Sequence, residues 1–140
     1  MLKLLLILNA LWFVGGFRLF ALQGRAFAKM LVAPEHRDTP VLDTLIMAGK
    51  FLGGFNLAFA VLNIALVVGA SVFDQDLQWA IVLFAIAVAH GTQFAFNVPV
   101  ALENRRGGGV WQVKGLMRFI FVTDFTLMSA NAALAAAYAL

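Results

Sequence analysis

Two ionisable side chains, His90 and Asp124, stand inside stretches that are otherwise almost wholly apolar. An imidazole and a carboxyl group together can hold a hydrogen bond, share a proton or grip a polar ligand. Inside a membrane-length apolar run such residues normally face a partner or a wet cavity. Low dielectric disfavours the charged form of each, so a neutral contact or a shared proton is as reasonable as an ion pair. Their polar company is regularly spaced. His90, Gln93 and Asn97 follow i, i+3, i+7 and form one stripe of a helix, while Asn56 with Asn63, and Asp124 with Asn131, share faces of two others.

Other chemistries lack their residues. The chain has no cysteine, which excludes disulfides, thiolate metal sites and thiol-oxidation chemistry. One histidine and one aspartate make an incomplete metal shell, and no second intramembrane histidine is available to ligate a haem, so neither metal nor cofactor is expected. Ser71 and Ser129 lie far in depth from His90, which removes support for a serine nucleophile, and no catalytic residue is assigned. Arg105-Arg106-Gly107-Gly108-Gly109 lacks the preceding strand and the Gly-Lys-Ser/Thr closure of a phosphate loop and reads as a flexible basic turn.

The elements that must position these residues follow from composition. Of 140 residues, 63% are hydrophobic and 12% charged, with a mean hydropathy of +0.92, values suited to a bilayer and not to water. A span needs roughly 20 residues. The pattern predicts four helices, at about residues 2–22, 43–71, 77–102 and 111–139, in a single all-α domain: a four-transmembrane-helix bundle with short loops. Met1-Leu2-Lys3, a leucine run and Ala26-Phe27-Ala28 imitate a secretory signal, but the apolar run reaches about Leu22, too long for a signal core. It is taken as the first span. Beyond it, Arg25 and Lys29 oppose Phe27, Met30 and Leu31, as in a helix lying in the interface; simple continuation of the first helix out of the bilayer fits equally.

Lysine and arginine are retained on the cytoplasmic side in short loops. Loop 1 holds Arg25, Lys29 and Arg37; loop 3 holds Arg105 and Arg106, with Lys114 just beyond. Loop 2 is acidic, with Asp74 and Asp76. The expectation is an integral protein of a bacterial inner membrane, with loops 1 and 3 cytoplasmic and both termini outside the cytoplasm. The net charge of +3 is a property of these loops and gives no case for nucleic acid.

Counting inward at 1.5 Å per residue puts Arg18, Lys50, Asn97 and Arg118 near the cytoplasmic ends, and Asn56, His90 and Asp124 at one level near mid-membrane. Arg18 and Lys50 read best as snorkelling cations. For Arg118, snorkelling and interior pairing stand equal; Asp124, six residues on, lies about 120° away around the helix, which argues against a direct pair. The candidate polar core is therefore His90, Asp124, Asn56, Gln93, Asn97 and Arg118. Interhelical glue and a site for a ligand or proton both account for it. Gly49-x-x-x-Gly53, Gly15-Gly16, Ala85-x-x-x-Ala89 and the alanine-rich fourth helix allow close helix approach.

The run from His90 to Asn104 superficially resembles a helix of the small membrane-associated glutathione-dependent enzymes, but its spacing differs and the arginines that would hold glutathione are missing. The stretch Leu45 to Leu62, with Lys50 and Gly53, and the third helix, where His90 precedes Phe94 and a later acid, resemble the ergosterol-biosynthesis scaffold family of small four-span membrane proteins. The similar stretches cover about a third of the chain. The acid that this family carries soon after its histidine is missing here. That resemblance implies a noncatalytic tether for sterol-demethylation enzymes.

The residues themselves favour a noncatalytic scaffold or accessory subunit whose partners are membrane lipids and either other membrane chains or a second copy. A small lipophilic-ligand binder or proton-coupled carrier using the polar core is the alternative, and a lipid- or quinone-active enzyme stands third.

Overall fold

The computed structural model describes residues 1–140 and contains helices, turns and loops without a strand. The protein is all-α. Four helical segments are long and apolar enough to cross a membrane: Leu2–Leu22, Pro40–Val68, Asp76–Arg105 and Leu116–Ala139. Within the expected single domain the chain forms two compact units, Lys3–Val68 and Gly69–Leu140.

In the first unit, α1 (Leu2–Phe17) buries Leu5, Leu6, Asn9, Ala10 and Phe13, a stripe with the three-and-four spacing of one helix face. Phe13 stacks on Phe59 with ring centroids 5.1 Å apart. The helix then widens into one π turn, Arg18–Leu22, and breaks at Gln23 (φ −111°, ψ 26°). A separate short helix, α2 (Gly24–Leu31), follows. The first helix therefore does not simply continue outward. In α2, Gly24 and Ala28 are buried while Arg25 and Lys29 are exposed, and Phe27 meets Phe20 edge-on at 4.6 Å.

Arg37 closes the end of α2. Its Nε donates to the Val32 carbonyl at 2.9 Å and its Nη2 to that of Lys29 at 2.6 Å, satisfying acceptors that the helix terminus leaves open. α3 runs Pro40–Val68. It starts earlier than the expected residue 43 because Pro40 occupies the first turn, where its missing N–H costs nothing. It stops before 71 because the chain tightens into a 3₁₀ turn at Ala70–Val72.

Two glycines set how closely the first unit packs. A Cβ at Gly53 would lie 2.6 Å from the Ala21 Cβ and 2.8 Å from its backbone nitrogen. A Cβ at Gly16 would overlap the Asn56 amide. These contacts bring α3 against the end of α1 and the π turn, the close approach that small residues permit in membrane helices.

In the second unit, Gln75 and Gln78 cap α4 (Asp76–Arg105) reciprocally, the Gln75 backbone N–H donating to Gln78 Oε1 at 3.3 Å. Phe73 packs on Trp79 just inside that start, centroids 4.7 Å apart. α4 includes Pro99 and reaches beyond the expected residue 102. α5 spans Leu116–Ala139. Its expected start at 111 is too early, because the Trp111 carbonyl and the Val113 N–H are both bonded to the Asn104 side chain and Gly115 takes φ +52°. The positive φ of Gly115 breaks the helical path just ahead of Leu116.

The buried positions of α4 include Trp79, Leu83, Ile86 and His90; those of α5 include Met117, Asp124, Leu127, Asn131 and Leu134. Steps of three, four and seven repeat along both helices, the spacing of a coiled-coil seam, and the two pack against each other. His90 and Asp124 occupy seam positions, so the packing that forms the pair of helices also aligns these two side chains.

Candidate functional site: the His90–Asp124 pair

His90 Nδ1 lies 3.0 Å from Asp124 Oδ1, joining α4 to α5. The two side chains are 0% and 4% exposed. The contact requires one proton, carried either by the imidazole nitrogen or by the carboxyl oxygen. Such a bond is strengthened by low dielectric surroundings.

Apolar side chains flank the pair along both helices. Toward the loop end of α4, Phe94 stacks on Phe121 at 4.7 Å and meets Phe125 at 5.0 Å. A Cβ at Gly91 would come within 3.2 Å of Met128 Sδ, so α4 and α5 approach tightly one residue beyond the pair. In the other direction Ile86, Ala87 and Leu127 are buried. Close packing of this kind restricts the rotamers of buried side chains.

The other expected polar residues separate into groups. Gln93 and Asn97 are half-buried on α4, and Asn97 Nδ2 donates to the Gln93 carbonyl at 2.8 Å. Asn56 belongs to the first unit, half-buried against Gly16, with its Nδ2 donating to the Leu52 carbonyl at 2.8 Å. Arg118 is exposed in the first turn of α5 and makes no ion pair with Asp124. Asn63 and Asn131 are fully buried and donate to the Phe59 and Leu127 carbonyls at 2.9 and 2.8 Å. These amides turn back onto the helices that carry them, one turn earlier, in the manner of polar side chains in membrane helices.

Sequence reasoning passed over Asn9 and Asn104. Asn9 is fully buried in α1 and was recognisable as the single polar side chain between Lys3 and Arg18 other than tryptophan. Asn104 organises the loop between α4 and α5, and its signal was an asparagine at a helix end, separated from a glycine run by Arg105 and Arg106.

A buried carboxyl–imidazole pair can clasp two helices, hold a proton or bind one polar group. No cluster of three or more histidine, cysteine or acidic side chains is arranged to hold a metal ion. No family model, curated protein or solved structure matches the chain.

Proposed function

We propose that this chain is a noncatalytic integral membrane subunit that assembles with other membrane chains or with a second copy of itself. The observation that carries this reading is the outward face of α5. Ser129, Ala132, Ala133, Ala136 and Ala137 are all exposed at i, i+3, i+4, i+7, i+8 spacing, so one stripe of the helix presents only small side chains. Lipid offers no hydrophobic force between helices, and close contact along small residues is how membrane helices associate. The inward-turned amides agree with it, since Asn56, Asn63 and Asn97 already donate to their own helices. The resemblance of Leu45 to Leu62 and of the third helix to the ergosterol-biosynthesis scaffold family points the same way. The membrane is a bacterial inner membrane in this reading, with the two basic loops on its cytoplasmic side.

The chain has no native cysteine, so a single one reports contacts cleanly. Ala133→Cys in native membranes should cross-link to another chain, and Phe84→Cys, on the exposed side of α4, should not. Equal cross-linking of both, or of neither, would remove the basis for this reading.

The buried His90–Asp124 bond supports a second reading, a proton-coupled carrier or a binder of a small lipophilic ligand. The two separate on one variant. Asp124→Asn keeps the helix pair in either case, but a carrier loses transport with it while a subunit keeps assembly.

A further inference from the structure

The two basic loops differ in free charge more than their lysines and arginines alone suggest. Between Gln23 and Thr44, Arg25, Lys29 and Arg37 are matched by Glu35, Asp38 and Asp43. Two of these cations are also engaged: Arg37 on the carbonyls that end α2, and Arg25 with Asp43 at 3.4 Å. From Glu103 to Arg118 four basic residues, Arg105, Arg106, Lys114 and Arg118, face a single acid, Glu103. All four are exposed, and none takes part in an ion pair or a side-chain hydrogen bond.

The turn that carries them is built around one side chain. Asn104 Nδ2 donates to the carbonyls of Gly108 and Trp111 at 2.9 Å each, and Asn104 Oδ1 accepts the Val113 N–H at 2.7 Å. Asn104 is followed directly by Arg105 and Arg106, and Val113 directly by Lys114. A single amide therefore ties the cations at the end of α4 to the cation before α5. Gly109 sits at φ +107°, where a Cβ would overlap the Asn104 amide nitrogen, so the glycine is required for the clasp to close. The expected flexible turn is instead an organised one.

Apolar groups accompany the charge. Val110, next to the half-buried Trp111 in the chain, is 72% exposed, and Leu116 at the start of α5 is 42% exposed. Unpaired cations with exposed aliphatic side chains, at the ends of two membrane-length helices, fit the headgroup zone of a bilayer. A soluble acidic partner would leave the aliphatic tip without a counterpart.

We propose that the Glu103–Arg118 turn is a binding site for anionic phospholipid. Arg105, Arg106, Lys114 and Arg118 hold the headgroup phosphate, Val110 and Leu116 enter the acyl boundary, and Asn104 keeps the cations in register. The first loop, balanced in charge and internally engaged, is not such a site.

The test uses the full chain in nanodiscs of equimolar phosphatidylglycerol and phosphatidylcholine, with retained lipid identified by native mass spectrometry. The wild type should retain phosphatidylglycerol selectively, and inorganic phosphate should not displace it. Each basic side chain removed costs about fivefold, so Arg105→Gln with Arg106→Gln should lower the preference roughly 25-fold. Arg25→Gln with Lys29→Gln should leave it intact. Asn104→Ala should weaken the preference without any change of charge, and Gly109→Ala, which opens the same clasp from the other side, should repeat that loss with helicity preserved. Four results would overturn the proposal: no preference in the wild type, equal loss on changing the first loop, displacement by free phosphate, or full preference in both clasp variants.

Discussion

Asp124 Oδ1 and His90 Nδ1 are 3.0 Å apart at the seam of α4 and α5, thirty-four residues apart in sequence and both withdrawn from the surface. The bond joins two helices through polar groups that are both buried, where a lost hydrogen bond is costly. Asp124→Asn should therefore be tolerated, because the amide still bonds to the imidazole. Asp124→Leu should destabilise the chain by about 1–3 kcal/mol, since it leaves His90 without this partner. Unfolding of the purified variants in mixed micelles measures the difference, and equal stability of the two would show that the bond contributes nothing.

Gly53 and Gly54 are neighbours with opposite surroundings. A Cβ at Gly53 meets the backbone of Ala21, whereas at Gly54 nothing lies within 4 Å. Backbone cannot give way as the end of a flexible side chain can. Gly53→Ala should cost about 1–3 kcal/mol by overpacking. Gly54→Ala should be neutral or slightly stabilising, as alanine replaces glycine within an exposed helix turn. The same unfolding assay, run side by side, separates them.

The sidedness of the loops is open to direct labelling. Asp74→Cys and Gly108→Cys should react with membrane-impermeant thiol reagents from opposite sides, Gly108→Cys from the cytoplasm. The Gly108 position accepts a side chain, its nearest neighbour being the Glu103 carbonyl at 3.9 Å from an added Cβ. Labelling of both from one side would contradict the four-span reading, and reversed accessibility would contradict the orientation.

Much of this architecture was readable in the sequence because a bilayer simplifies the code. Apolar runs of spanning length declare helices, and the loops between them are too short to be anything else. His90 and Asp124 were paired by counting depth, which works when 1.5 Å per residue is the only variable. Depth carries no information on azimuth, and there the expectation loosened: Asn56, level with the pair by count, packs against Gly16, and Arg118 faces outward. The loop between α4 and α5 was misread for a different reason. Glycine runs signal freedom when considered alone, and only the three bonds of Asn104 convert this one into a fixed turn that delays α5 to Leu116.

The proposed assembly through the small-residue face of α5 is measurable as the size of the complex extracted from native membranes, with and without a bulky side chain on that face. Ala133 is exposed and lies between Ser129 and Ala137 on the stripe, so Ala133→Leu should leave the fold intact while preventing close helix approach. The wild-type chain should migrate in a complex larger than itself, with a partner chain or second copy recovered from it, and Ala133→Leu should shift it to the size of the free chain with its helicity unchanged. A wild-type chain that migrates alone, or a complex indifferent to Ala133→Leu, would contradict the proposed assembly.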